Sequence, residues 1–144
     1  MNAVAQQEWA EDLPPAISRG YSAVADSVPV ARRALLALAR EAGAEADQLA
    51  AVALAVSEAL TNAVVHAYPD RPGEIRVSAW AASGEFVVVI ADDGDGLQAH
   101  TGSPGLGVGL RLIATLSDEF EILQPVSGGT EVQMRFCLSP ADAG

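Results

Sequence analysis

Three polar side chains, Glu58, Asn62 and His66, interrupt a stretch of the chain that is otherwise almost entirely apolar. Their spacing of four residues places them along one edge of a helix, about one turn apart. A helix that is hydrophobic on every side is normally buried, and a buried carboxylate or amide is costly unless it has a partner. No lysine or arginine lies in the stretch from Val52 to His66. The pattern therefore predicts that these groups face a site that holds a cation, a water molecule or a ligand.

A second candidate site is the segment Asp92-Asp-Gly-Asp-Gly96, which follows the apolar run 86–90. Its glycines let the backbone approach a flat ligand closely, and its first carboxylate could accept a hydrogen bond from an exocyclic amine. Alone, Asp-Gly pairs more often mark an ordinary acidic turn. A calcium loop is excluded, because its first and last ligands would be Ala91 and Gly102. A dinucleotide fingerprint is rejected, because three aspartates would repel a pyrophosphate.

Gly105, Gly107 and Gly109 form a third motif, ahead of an apolar segment with helical spacing at 110–116. Closely spaced glycines before a helix expose backbone N–H groups that can donate to a phosphate, and the helix dipole assists. A surface loop can show the same pattern, so its position after the acidic glycine turn is what favours the phosphate interpretation. A standard P-loop is excluded, because Gly-Lys-Ser/Thr occurs nowhere in the chain.

Hydrophobic periodicity and turn residues predict the elements that position these motifs. Helices are expected at about 27–42, 47–66 and 110–116, and strands at 17–24, 75–80, 86–90, 120–123 and 132–138. Residues 1–15 end in two prolines and are predicted to be a flexible tail, and residues 16–140 to be a single domain. The predicted fold class is α+β, a two-layer α/β sandwich whose mainly antiparallel sheet carries its helices on one face.

Composition restricts the classes of partner. Nineteen acidic residues against eight basic ones give a formal charge of −11, which disfavours nucleic acid and anionic lipid. The N-terminus does not resemble a signal peptide, and no stretch was expected to approach the ~20 apolar residues of a membrane span. We therefore expect a cytoplasmic protein with a basic or neutral protein partner. Cys137 is the only cysteine, and its alternating surroundings predict a core or edge position in a strand.

The three motifs occur in the order and spacing of the GHKL (Bergerat-fold) ATPase and kinase superfamily. The chain resembles in particular the anti-sigma-factor serine kinases of Gram-positive bacteria. The resemblance is carried by residues 56–68, 92–97, 105–122 and 129–134, and it extends over about 20–138. It implies the Bergerat ATP-binding fold and an ATP-dependent serine/threonine-protein kinase that serves as an anti-sigma factor. Such a protein alternates between a sigma factor and a small anti-anti-sigma antagonist, which it phosphorylates. A possible homodimer is implied by the resemblance alone.

The resemblance also implies roles for individual residues. Glu58 matches the general base, Asn62 the ligand of Mg²⁺, and Asp92 the carboxylate that reads adenine, with Thr130 assisting it. The implied ATP-binding positions are Asn62, His66, Asp92, Gly94, Gly96, Gly105, Gly107, Gly109, Leu110 and Thr130.

Several alternatives stay open on the sequence alone. Glu58 could form a structural ion pair with Arg76 or Arg111, and His66 could cap the helix end or line a pocket without a catalytic role. The segment 97–104 contains no lysine or arginine to neutralise phosphate charge, and Arg111 is the nearest cation in sequence. The alternative function is therefore a non-catalytic, ATP-dependent anti-sigma or adaptor binding module.

Overall fold

The computed structural model describes residues 13–68, 70–94 and 106–138, without the side chains of residues 106 and 107. Gly96, Gly105 and most of the predicted tail, residues 1–12, lie outside the described residues. Three α-helices, one π-helical turn and five strands follow in the described part of the chain, in the order β1 (Ile17–Ser22), α1 (Ser27–Glu41), α2 (Ala46–Asn62), the π-turn (Ala63–Ala67), β2 (Glu74–Ala82), β3 (Glu85–Asp92), α3 (Leu106–Leu116), β4 (Glu119–Leu123) and β5 (Thr130–Cys137).

The five strands form one sheet in the order β1-β2-β3-β5-β4, and every neighbouring pair is antiparallel. The central hairpin β2–β3 turns through Ser83 and Gly84, whose φ angles are 56° and 76°. Two consecutive positive φ angles are typical of the tight turns whose twist matches that of paired strands. β5 is made last but lies between β3 and β4, so the sheet is complete only when the C-terminal strand is in place.

The helices pack on one face of this sheet. Alternate residues of the strands point toward them, as the two-residue period of a strand requires. The core joins these strand residues to one stripe of each helix, with Leu35, Val52, Val56, Leu60, Ile75, Val77, Phe86, Val88, Ile90, Ile113 and Met134 almost fully buried. The predicted α+β, two-layer α/β sandwich with a mainly antiparallel sheet is confirmed.

Three details differ from the sequence prediction. α3 begins at Leu106, so Gly107 and Gly109 lie inside its first turns rather than in a loop before it. The second helix runs as an α-helix only to Asn62 and then widens into the π-turn. Cys137 is exposed at the end of β5, where β3 alone pairs with the strand, so it is not a core residue. The pleat accounts for this exposure, because the preceding Phe136 takes the inward position.

The helix from Ala46 to Ala67 is 22 residues long with a hydropathy of 1.5, enough by length and composition to cross a membrane. The expectation that no stretch approaches a membrane span was therefore wrong on those two criteria. Core helices of globular proteins meet the same criteria, and here the residues Val52, Val56 and Leu60 are buried within the core. The apolar character of this helix is thus accounted for by its packing.

The segment just before β1 is attached to the sheet. The indole N–H of Trp80 donates a hydrogen bond to the Leu13 carbonyl at 2.8 Å, and the Ala16 amide donates to the Ala79 carbonyl at 2.8 Å. Leu13, which lies in the predicted tail, therefore contacts the domain. The prediction of a flexible tail remains untested for residues 1–12.

Two glycines with positive φ set the start of β5. Gly128 has a φ of 108° and open space where a side chain would begin, whereas Gly129 has a φ of 85° and lies against the Asp92 carbonyl. A Cβ atom at Gly129 would overlap that carbonyl oxygen. The end of β3 and the start of β5 can approach this closely only because residue 129 has no side chain.

We predict that Gly129→Ala lowers the free energy of unfolding more than Gly128→Ala does. Both changes place alanine at positive φ, which costs roughly 1–2 kcal/mol, but only Gly129→Ala adds a clash with backbone. Urea unfolding of the two variants and the wild type measures the difference. Equal losses in the two variants would show that the contact with Asp92 is unimportant.

Candidate functional site

One cleft collects five of the predicted site residues: Asn62, His66, Asp92, Leu110 and Thr130. It lies between the end of α2, the π-turn, β3, β5 and the first turns of α3. Its lining consists of Ala59, Asn62, Ala63, His66, Ala67, Ile90, Asp92, Leu110, Thr130 and Val132. A largely apolar cleft with a few convergent polar groups is the usual form of a small-molecule site.

The sequence analysis did not identify the apolar walls of this cleft. Ala59, Ala63 and Ala67 form one wall, and their small side chains leave the space open. Ile90 and Val132 face them from directly paired positions of β3 and β5. The four-residue spacing of the alanines indicates that they share one face of a helix. Which strand residues lie opposite that face depends on the pairing of strands that are distant in sequence.

Asn62 and His66 reach the cleft from the junction between α2 and the π-turn. Asn62 is the last residue of the α-helix, and His66 lies within the π-turn, where it is half-buried. π-Helical turns inside longer helices occur frequently at functional sites, because the extra residue per turn redirects side chains. Here the turn brings His66 and Ala67 to the same cleft as Asn62.

The Asn62 amide has an unused hydrogen-bonding capacity. Its Nδ2 atom is buried and has no hydrogen-bond partner among the described residues. Amide nitrogen and oxygen exchange places when the group is rotated, so the position could equally present the oxygen. An unsatisfied buried polar group costs about 1–3 kcal/mol, and a ligand in the cleft would remove that cost.

Asn62 also fits a role in holding Mg²⁺. An amide oxygen is a suitable hard donor, and Mg²⁺ in phosphate sites usually takes only one or two protein ligands besides phosphates and water. No cluster of three or more His, Cys, Asp or Glu side chains suited to a metal occurs in the described part of the chain. The protein alone does not build a metal cage here, so a cation would have to be shared with a bound phosphate.

Glu58 lies one turn before Asn62, beside the cleft rather than in its lining. The backbone of α3 passes directly over both side chains. A Cβ atom at Gly109 would be 2.7 Å from Glu58 Oε1 and 3.4 Å from Asn62 Nδ2. Gly109 therefore leaves room for the Glu58 carboxylate between the two helices, and a side chain there would displace that carboxylate. The phosphate-loop interpretation did not include this packing role.

The alternative of a structural ion pair for Glu58 is wrong. Arg76 pairs instead with Asp93, at 2.7 Å between Nη1 and Oδ2. Between the described residues, no ion pair joins Glu58 to Arg76 or to the exposed Arg111. The half-buried carboxylate of Glu58 thus remains available for chemistry at the edge of the cleft.

Asp92 ends β3 and is the most buried carboxylate of the site, with 8% of its surface exposed. Its Oδ1 accepts a hydrogen bond from the Gly94 amide at 2.8 Å, and the Thr130 amide also donates to the carboxylate. Burial raises the pKa of Asp92 above its ordinary value, and it outweighs the two amides, which lower that pKa. The carboxylate keeps free acceptor capacity toward the cleft.

Gly94 fixes how the chain leaves β3. A Cβ atom at this position would overlap the Ala67 carbonyl, so the backbone after Asp92 runs directly against the end of the π-turn. Gly94 is therefore needed for a close approach to the backbone of the π-turn. The predicted approach of this glycine to a flat ligand stays a prediction. The described residues bring Glu58, Asn62, His66, Asp92, Gly94, Gly109, Leu110 and Thr130 to one region; Gly107 lies in the first turn of α3.

The raised pKa of Asp92 predicts a pH dependence of stability. Between the ordinary value of 3.8 and the raised value, the folded state binds more protons at Asp92 than the unfolded state does. The contribution of Asp92 to the free energy of unfolding therefore falls as pH rises through this window. Urea unfolding of wild type and Asp92→Asn at pH values between about 4 and 7.5 isolates this contribution as the difference between the two proteins. A difference that grows in favour of the wild type with rising pH would contradict the assignment.

Comparison with known proteins identifies the family. The family model of the histidine kinase-like ATPase domain matches residues 21–136. The serine-protein kinase RsbW of Bacillus licheniformis is 32% identical over 123 residues, which cover 74% of this chain and 76% of that protein. An anti-sigma F factor of Clostridium kluyveri is 28% identical over 100 residues, 62% of this chain and 70% of the relative.

A solved structure gives the same result. The crystal structure of the RsbU and RsbW domains of a Mycobacterium tuberculosis protein superposes with a TM-score of 0.68 at 27% identity. The match covers 88% of this chain and 32% of the other, so the chain spans about a third of that larger protein. The GHKL resemblance inferred from the three motifs is confirmed, and the chain belongs to the histidine kinase-like ATPase domain family.

Proposed function

We propose that this protein is an ATP-dependent serine/threonine-protein kinase that acts as an anti-sigma factor and phosphorylates a small antagonist protein. The observation that carries the proposal is the position of two polar side chains one turn apart near Gly109. Asn62 lines the cleft together with Asp92 and Thr130, and Glu58 lies beside it. Relatives named a serine-protein kinase and an anti-sigma F factor support it.

ATP is the nucleotide that suits the cleft. The family is an ATPase domain, and the buried Asp92 carboxylate can accept a hydrogen bond from the exocyclic amine of adenine. The adenine ring would lie between the alanine wall of α2 and the π-turn and the side chains of Ile90 and Val132. Thr130, which is 6% exposed and lines the same cleft, would add a polar contact to the ring.

Glu58 would act as the general base. Its carboxylate would take the proton of a substrate serine or threonine hydroxyl while the hydroxyl oxygen forms a bond to the γ-phosphorus of ATP. The bond between that phosphorus and the oxygen bridging to ADP breaks, and ADP leaves with the electron pair. Positioning of this kind is the main contribution a protein makes to phosphoryl transfer.

Asn62 would hold Mg²⁺ through its amide oxygen, together with the phosphates of ATP. When bound, the ion would neutralise phosphate charge. The buried amide without a partner among the described residues supports this role. His66, Gly94, Gly96, Gly105, Gly107, Gly109 and Leu110 remain proposed contacts of the nucleotide.

The proposed partners are a sigma factor and an anti-anti-sigma antagonist, in exchange with each other according to nucleotide state. The formal charge of −11 favours partner surfaces that are basic or neutral. We further propose that the protein is cytoplasmic and that it can form a homodimer, the latter from the family resemblance alone.

Replacement of the base tests the kinase activity. With labelled ATP, Mg²⁺ and a candidate antagonist, Glu58→Gln is expected to lower the rate of phosphate transfer about 10²- to 10⁴-fold, the usual contribution of a general base. The dissociation constant for ATP should change little, because glutamine keeps the shape of the side chain.

Glu41→Gln is the matched control, since Glu41 is an exposed carboxylate at the end of α1. Transfer that survives Glu58→Gln unchanged would refute the role of the base. ATP binding by the wild type without transfer to any antagonist would instead favour the non-catalytic binding module.

Replacement of Asn62 tests the metal role. We predict that Asn62→Ala removes the gain in ATP affinity that Mg²⁺ gives the wild type, because the amide oxygen is the proposed protein ligand. Titration calorimetry with ATP in Mg²⁺ and in EDTA measures this gain. The neighbouring Thr61 is exposed, so Thr61→Ala should keep the gain. An unchanged gain in Asn62→Ala would exclude Asn62 as the ligand.

A further inference from the structure

Tyr68 makes two hydrogen bonds that join three segments of the chain. It directly follows the π-turn, and its hydroxyl donates to the Glu74 carbonyl at 2.8 Å. The same hydroxyl accepts a hydrogen bond from the Asp93 amide at 2.8 Å. One phenol oxygen therefore connects the end of the helix to the first residue of β2 and to the residue that follows β3.

The hydroxyl occupies the place of a strand-to-strand hydrogen bond. The last paired residues of β2 and β3 are Ile75 and Asp92, so the next pair in register would join Glu74 to Asp93. Instead, the Asp93 amide reaches the Glu74 carbonyl through the Tyr68 hydroxyl. Two hydrogen bonds in series hold the strands farther apart than the roughly 2.9 Å of a direct bond. The ladder therefore ends at Asp92.

The tyrosine ring is itself held in position. A Cβ atom at Gly73 would overlap three ring carbons, so the ring lies flat against the backbone of residue 73. The guanidinium of Arg71 lies 5.3 Å from the ring centroid, within the range of a cation–π contact. These contacts hold the ring in place, and the position of the ring determines where its hydroxyl lies between the two strands.

The point at which the ladder ends determines where the Asp92 carboxylate lies. Residues 67 and 68 contact the two residues after Asp92, because Gly94 lies against the Ala67 carbonyl while the Tyr68 hydroxyl holds the Asp93 amide. The Gly94 amide in turn donates to Asp92 Oδ1. The chain after Asp92 is thus attached to the end of the helix at two consecutive residues.

We propose that Tyr68 is a positioning residue for the carboxylate of Asp92 and thereby determines the selectivity of the cleft for 6-aminopurines. The inference rests on the proposed function, in which Asp92 accepts a hydrogen bond from the adenine amine. A 6-oxopurine offers an acceptor at that position and gains nothing from the carboxylate. A site built around one such hydrogen bond discriminates only while the acceptor is held in place.

Tyr68→Phe in the full chain tests the proposal. With the hydroxyl removed, β2 and β3 can pair one step further, and Asp92 shifts relative to the cleft. Calorimetric dissociation constants for ATP and for ITP, which carries a 6-oxo group, give the selectivity. We expect ATP binding to weaken about tenfold, the equivalent of one charge-assisted hydrogen bond, with ITP binding changed less than about twofold. The ratio of the ITP dissociation constant to the ATP dissociation constant, which measures the selectivity, should therefore fall.

Two further variants make the test specific. Gly73→Ala keeps the hydroxyl but displaces the ring, and it should lower the ratio of the ITP to the ATP dissociation constant in the same way, even if Tyr68→Phe fails to fold. Tyr21→Phe is the matched control, because Tyr21 is the only other tyrosine and its buried hydroxyl has no partner among the described residues. It should leave the ratio unchanged.

The outcomes separate this inference from the proposed function. A folded Tyr68→Phe or Gly73→Ala variant that keeps the wild-type ratio would overturn the positioning role. The same holds if ATP and ITP binding weaken equally, since that is the result of a purely structural defect. Wild-type protein that does not prefer ATP to ITP would overturn adenine recognition itself, and this inference with it.

Discussion

The structure depends on the close backbone approach of other segments to α2 and its π-turn. This helical segment contributes Glu58, Asn62 and His66. One of its faces packs into the hydrophobic core, and α3 packs against another. Gly94 must lack a side chain because a Cβ atom there would overlap the Ala67 carbonyl, and a side chain at Gly109 would displace the Glu58 carboxylate. Each glycine is unfavourable for stability in its own segment, but together they bring the polar groups of one helix to the end of β3.

The site therefore combines two opposing requirements. Asp92 must be buried to form the wall of a cleft, and burial raises the pKa of its carboxyl. The amides of Gly94 and Thr130 partly offset that effect by donating to the carboxylate. Asn62 shows the same conflict without the compensation, because its buried Nδ2 has no partner among the described residues. Polar groups left in this condition are characteristic of sites that bind ligands.

Local sequence patterns were sufficient to predict the fold class, the approximate strands and helices, and the polar residues Asn62, His66 and Asp92 of the cleft. Periodicity located the core stripe of α2, and the motif order indicated the family that the comparisons then established. The contributions of Gly109 and Tyr68 could not be predicted, because each acts on groups far away in sequence. Whether a glycine lies in a loop or against another helix, and which carbonyl a hydroxyl reaches, is decided by tertiary packing rather than by local preference.

The strand order has a consequence for synthesis of the chain. Among the described strands, β4 pairs only with β5, which follows it in sequence. Until β5 emerges, β4 has no partner and the cleft lacks the wall that Thr130 and Val132 form. Throughout that interval the apolar stripe of α2 is only partly covered. Exposed apolar surface and unpaired strand edges are what make partly folded chains prone to aggregate. A nascent chain that ends before β5 would thus expose surface that chaperones bind, and the addition of β5 covers that surface.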